Sequence, residues 1–235
     1  RLLDLFQDFP LRTEACDDYV RMCLKWSSKF GTCPTGDPVL HHAFGSRYYK
    51  EKQYYEAEYH FVYGTTDSAK AMGHMCWEWS GEGYYSDRGY FLLRAILPLL
   101  ALKKIHHATL TFDTFTKRLS ASAPAERSPS LAGVNGPEFP TFSSSLINFA
   151  QLLILVVQRD APEAFIAIRG QYRRTIAFDP WLGQVLEIIA AKFFDLGPKK
   201  QANPFEDIMK SLFSGPPGGA GGSKASNSNL MLEMD

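Results

Sequence analysis

Six histidines, a few closely spaced acids and one arginine cluster are the side chains of this 235-residue chain whose types could do chemistry. His41–His42 and His106–His107 are adjacent pairs. On a helix, neighbouring side chains diverge by about 100°, so such pairs chelate poorly. His74 and Cys76 are two apart on a helical stretch and fail as a metal pair for the same reason. His60, between Tyr59 and Phe61, reads as a packed residue of a helical hairpin. Glu56 and Glu58 are two apart and face apart on one helix, and Asp17–Asp18 reads as a solvated helix start. Arg169, Arg173 and Arg174 follow an i, i+4, i+5 spacing. This predicts one charged helix face, either solvated or partner-binding. G-x-S-x-G, G-x-x-x-x-G-K-S/T and H-E-x-x-H are absent from the sequence. The glycines of 218–222, followed by Ser223 and Lys224, lack the strand and helix that a phosphate loop needs. The expected catalytic, cofactor and metal sets are therefore empty, and a scaffold is favoured over an enzyme.

The elements that position these residues read as helices throughout. In 13–28 the positions Cys16, Tyr19, Val20, Cys23 and Leu24 form an amphipathic stripe, with Thr13 as N-cap. The block 40–64 predicts two helices joined by a tight turn near Lys52 and Gln53. Gly45 and Ala57 are small enough for close approach, with Tyr48 and Phe61 filling the space beside them, as in a tetratricopeptide-like hairpin. Further helices are expected over 68–79, over 87–102 (capped by Ser86 and kinked at Pro98) and over 106–119. Others follow over 146–158, 162–176 and 180–196. Pro162 and Pro180 occupy first-turn positions behind Asp160 and Asp179. A short amphipathic helix is expected over 204–213. Between the helices, 120–145 holds seven serines and four prolines and predicts a long connection, either disordered or functional. No segment alternates well enough to predict a strand.

The predicted fold class is all-α, a right-handed α-solenoid of helical hairpins over 1–214, with a flexible Gly/Ser-rich tail over 215–235. Composition agrees with a globular core. Apolar residues make up 45% and charged residues 21%, and 25 basic side chains balance 25 acidic ones. That balance disfavours a protein that works by coating nucleic acid or an anionic membrane. Cys16, Cys23, Cys33 and Cys76 include no C-x-x-C pair and read as reduced thiols of a cytosolic protein. The chain opens at Arg1 inside an apolar, helix-like stretch, so further N-terminal helices are expected to be missing.

Several segments match one family. They are Leu24-Lys25-Trp26-Ser27-Ser28, Asp37-Pro38-Val39-Leu40-His41 and, most specifically, the run from Tyr49 to Phe61 (YKEKQYYEAEYHF). Phe112 to Lys117, Pro140 to Asn148, Asp179-Pro180-Trp181 and Phe193 to Pro198 extend the match over about 1–213. The chain resembles the Golgi-to-ER traffic protein 4 family. The resemblance implies a non-enzymatic, cytosolic helical adaptor in the guided entry of tail-anchored proteins. The C-terminal half of such an adaptor holds a ubiquitin-like partner subunit, which recruits the client-bearing co-chaperone. Its N-terminal helices, largely absent here, dock the targeting ATPase. The serine/proline segment and the glycine-rich tail depart from the family pattern.

The runner-up is another helical-repeat co-chaperone that reads peptide C-termini. It would need a basic carboxylate clamp, for which only Arg47 and Lys50 stand out. For the partner site, the C-terminal half offers Phe165, Arg169, Tyr172, Arg173, Phe178 and Trp181. The 204–213 helix adds Phe205, Ile208, Met209 and Leu212 at i, i+3, i+4, i+7.

Overall fold

The computed structural model describes residues 2–122, 127–131, 139–177 and 179–197. Eleven α-helices and two short strands are found among them. The first helices are α1 (Leu2–Asp8), α2 (Glu14–Phe30), α3 (Pro38–Lys50) and α4 (Tyr54–Tyr63). They continue with α5 (Thr66–Ser80), α6 (Arg88–Ala101) and α7 (Ile105–Ser122). After β1 (Arg127–Leu131) and β2 (Phe139–Phe142) come α8 (Ser145–Gln158), α9 (Pro162–Gln171), α10 (Arg173–Ile176) and α11 (Pro180–Phe194).

Capping chemistry explains several of these starts. The Thr13 hydroxyl accepts from the Cys16 N–H at 3.3 Å, and the Asp37 carboxylate accepts from the Val39 N–H at 2.7 Å. Asp179 does the same for Trp181 at 2.9 Å, with Pro180 locked behind it at the first helical position. Two expected caps are corrected. Ser86 does not cap α6; it sits in a 3-10 turn over Tyr85–Asp87 and its hydroxyl bonds the Asp87 side chain. Asp160 does not cap α9. It takes a left-handed conformation (φ 50°) one residue before Ala161, the actual N-cap.

The α3–α4 pair is the hairpin anticipated from its spacing. Only 51–53 separate the helices, Lys52 turns the chain at φ 56°, and so short a connection makes the neighbours antiparallel. Phe44, Tyr48, Ala57 and Phe61 are buried. Gly45 is required by a close approach. A Cβ there would lie 2.8 Å from the Phe61 ring, well inside contact distance. Enlarging Ala57, which is 0% exposed, overpacks the same interface. Ala57→Leu is expected to lower unfolding free energy by about 1–3 kcal/mol in urea titration, and an unchanged midpoint would contradict this packing.

At the centre lies α6. Of its last ten residues all but Arg94 are buried, and a helix apolar on every side must be enclosed by others. It touches α4, α5, α7, α8 and α11. Cys16 and Cys23 are buried in the same continuous core.

The 120–145 segment differs from the expected connection. Helix α7 runs on to Ser122, and β1 and β2 pair antiparallel, with Arg127 opposite Phe142 and Leu131 opposite Phe139. Pro129 and Pro140 hid this from a propensity reading. In a two-stranded hairpin both strands are edges, so a missing N–H need not break the ladder. The Asn148 amide secures β2 to α8, accepting from the Phe142 N–H at 2.8 Å and donating to the Phe142 carbonyl at 2.6 Å. The expected 204–213 helix and 215–235 tail lie outside the described residues.

Candidate functional site

Helices α8, α10 and α11 and the start of α6 form a cleft of 720 Å³ at the C-terminal side. It is lined by Tyr90 and Phe91 from α6, Leu146 from α8, Arg174 from α10, and Asp179 and Leu182 around the start of α11. One carboxylate organises it. Asp179 caps α11 through the Trp181 N–H and accepts a short hydrogen bond from the Tyr90 hydroxyl, tying α11 to the central helix. Burial, reinforced by that carboxylate, raises the Tyr90 phenol pKa, so it is a fixed donor.

The residues expected to contact a partner fall into three groups. Phe165 is fully buried and packs 4.9 Å from Phe194, so it belongs to the core. Arg169, Tyr172, Arg173 and Trp181 reach the surface to varying degrees. Arg169 pairs with Glu187 of α11 and lies 5.6 Å from the Phe165 ring centre, and Tyr172 sits 5.1 Å from Phe149. The Trp181 indole N–H is buried without an acceptor among the described residues. Phe178, Phe205, Ile208, Met209 and Leu212 lie outside the described residues.

The expected continuous arginine face is not formed. Helix α9 ends at Gln171, Tyr172 interrupts it, and Arg173 and Arg174 begin α10. Gly170, a poor helix former, stands just before the break. Only Arg174 of the three lines the cleft. A carboxylate clamp around Arg47 also fails on geometry. Its guanidinium donates to the Phe9 carbonyl at 2.5 Å and lies 4.6 Å from the Phe6 ring centre, so it is committed to holding α1.

Two buried polar pairs were not foreseen. The Glu58 carboxylate, fully buried, receives the Arg94 Nε–H on both oxygens at 2.8 and 3.1 Å. His41 Nδ1 lies 3.0 Å from His60 Nδ1, and His41 Nε2 lies 3.1 Å from the Thr35 carbonyl. The remaining adjacent histidine is also engaged, with His42 bonding Ser68 at 2.9 Å. Burial sets the titration of these groups. It holds His41 down at about 4 and His60 well below its ordinary value, and lifts Glu58 to about 7 against the pull of Arg94. Among the described residues no group of three or more His, Cys, Asp and Glu side chains could hold a metal ion. No described helix is long and apolar enough to cross a membrane. The cleft offers apolar contact, a fixed carboxylate and one arginine, which suits binding.

Comparison with known proteins places the whole helical array. The family model described as GET4, Golgi to ER traffic protein 4, matches residues 1–213. Golgi to ER traffic protein 4 of Aspergillus fumigatus is 30% identical over 217 residues, covering 92% of this chain and 62% of that protein. Its Schizosaccharomyces pombe namesake is 32% identical over 219 residues, covering 92% and 70%. The crystal structure of C. therm. Get4 superposes with a TM-score of 0.76 at 29% identity, covering 96% of this chain and 71% of that one. The chain thus spans less than two thirds of the length of the Aspergillus protein.

Proposed function

The chain belongs to the Golgi to ER traffic protein 4 family, and we propose that it acts as a non-enzymatic adaptor in the cytosol, in post-translational targeting of tail-anchored membrane proteins to the ER. In this reading the helical hairpins stack as a right-handed α-solenoid over 1–214. The C-terminal half holds a ubiquitin-like subunit, which brings in the co-chaperone that carries the client. The targeting ATPase is met by helices on the N-terminal side. The observation that carries the reading is the match to the family over residues 1–213.

The α6–α8–α11 cleft supports the C-terminal location of the subunit. It is built on α6, which α4, α5, α7, α8 and α11 enclose, so a partner would meet a preformed surface and lose little to ordering it. Tyr90 and Arg174 on its lining are of the residue types that carry interface energy, and Tyr172, Arg173 and Trp181 are close in sequence to its lining residues. Phe178, Phe205, Ile208, Met209 and Leu212 remain candidate contact residues in this proposal.

The test is co-purification and calorimetry with the ubiquitin-like subunit. Trp181→Ala and Phe205→Ala, each with helicity checked by circular dichroism, are expected to weaken binding about tenfold or more. Wild-type affinity in both variants and in a truncation after Pro198 would move the site elsewhere.

A further inference from the structure

A second cleft, of 470 Å³, opens between α2 and the α3–α4 hairpin and shares no lining residue with the C-terminal one. Its lining includes Asp17, Lys25, Tyr55, Glu56, Tyr59 and His60. Of these His60 is 4% exposed. Its tautomer is dictated from below. The Thr35 carbonyl can only accept, so His41 Nε2 carries its proton and donates there. Neutral His41 then presents Nδ1 as an acceptor, and the contact at 3.0 Å requires His60 Nδ1 to be the donor. His60 Nε2 is left with a bare lone pair. It has no hydrogen-bond partner among the described residues, on a side chain almost wholly buried in the floor of an open cleft.

The walls indicate what meets that lone pair. Tyr55 and Tyr59 supply aromatic faces. Asp17 and Glu56 are exposed carboxylates on the lining. Arg21 also lines the cleft, but its guanidinium is paired with Asp18. That leaves two carboxylates against the single ammonium of Lys25. An acceptor at the floor, aromatic walls and a surplus of acid at the rim suit a planar cation that donates several hydrogen bonds.

We propose that this cleft receives an arginine side chain of a partner protein's peptide segment, its guanidinium donating to His60 Nε2 between Tyr55 and Tyr59 with Asp17 and Glu56 at the rim. The inference is independent of the C-terminal site.

The experiment follows the imidazole nitrogens and tyrosine rings by NMR in the ¹⁵N-labelled full chain. The probe is a blocked Gly-Gly-Arg-Gly-Gly peptide, compared with its citrulline and lysine counterparts. The free protein is expected to show His60 Nε2 unprotonated. The arginine peptide is expected to shift that nitrogen and the Tyr55 and Tyr59 rings saturably, while the neutral citrulline peptide does not. Glu56→Gln and Asp17→Asn change exposed positions and leave the fold intact. Each is expected to weaken the arginine peptide about three- to fivefold. A proton on His60 Nε2, no response of His60 to the arginine peptide, or an equal response to citrulline would overturn the proposal. So would a lysine peptide that binds as tightly, because the guanidinium assignment would then fail.

Discussion

Arg94→Ala is expected to cost about 3–5 kcal/mol of unfolding free energy at mildly alkaline pH, because it leaves the buried Glu58 carboxyl without its partner. Glu58 has no exposed side-chain surface, and Arg94 is only 14% exposed. The guanidinium donates to both carboxylate oxygens and lies 4.7 Å from the Tyr55 ring centre and 5.2 Å from that of Trp79. Among the described residues no other hydrogen bond to the Glu58 carboxylate competes for this role. The loss should depend on pH with a definite sign. Burial already lifts folded Glu58 to about 7, and Arg94 holds it from rising further. Without Arg94 the folded pKa rises more, while the unfolded value stays near that of an ordinary glutamate. A raised folded pKa means that the folded state keeps a proton which the unfolded state has released. Stability is then fully present below the unfolded pKa and lost as pH rises. The gap between wild type and Arg94→Ala should therefore be flat below about pH 7, where Glu58 is protonated in both folded proteins, and widen above it by up to about 1.4 kcal/mol per pH unit. Urea titrations from about pH 5 to about pH 9 provide the measurement. The double variant Glu58→Leu with Arg94→Met should recover most of the loss, since it removes the buried charge together with its partner. A pH-independent gap, or a loss under about 1 kcal/mol at pH 8, would show that the pair is not what holds α4 against α6.

This pair also shows where reading the sequence reaches its limit. The α3–α4 hairpin was legible because Phe44, Tyr48, Ala57 and Phe61 obey helical spacing, and one buried stripe per helix suffices to place them. The start of α11 was legible because an aspartate before a proline is a local capping signal. Glu58 was not, since an acid two residues from another on a helix looks solvated until the helix that covers it is known. That helix, α6, contributes Arg94 from 36 residues away. The histidines follow the same logic. Adjacency speaks only to chelation, whereas the partner of His41 lies 19 residues on and across a turn. The strand hairpin was hidden by its prolines, and the break at Tyr172 by an apolar pattern that continues through it. At the C-terminal cleft, the residue types were legible. Which of them face outward was not, and Phe165 turned inward because Phe194 returns from α11 to meet it.

The largest acid-driven loss of stability is expected from the His41–His60 pair. Both rings are neutral in the folded protein, because burial penalises the charged form. For His41 the nearby Lys104 adds to that penalty, while the bond to Thr35 and the Asp37 charge oppose it. For His60 the neighbouring His41 is the further cause. A histidine with a lowered folded pKa contributes stability that is present above its unfolded value near 6.5 and is lost as pH falls toward the folded value. For His41, which is 0% exposed and held at about 4, that amounts to about 3 kcal/mol between pH 6.5 and 4, with His60 adding in the same direction. Glu58 works the other way across an overlapping window, so the wild-type curve alone will not isolate the pair. His41→Gln will. Its amide can still donate to the Thr35 carbonyl, but it cannot ionise. The variant should be less stable than wild type at pH 7, and the deficit should shrink by about 3 kcal/mol as pH falls to 4, because only the wild type pays for protonation. Guanidinium titrations at half-unit pH intervals would measure it. A deficit that stays constant would mean that His41 ionises freely in the folded chain, and with it the Thr35–His41–His60 chain that fixes the His60 acceptor would fall.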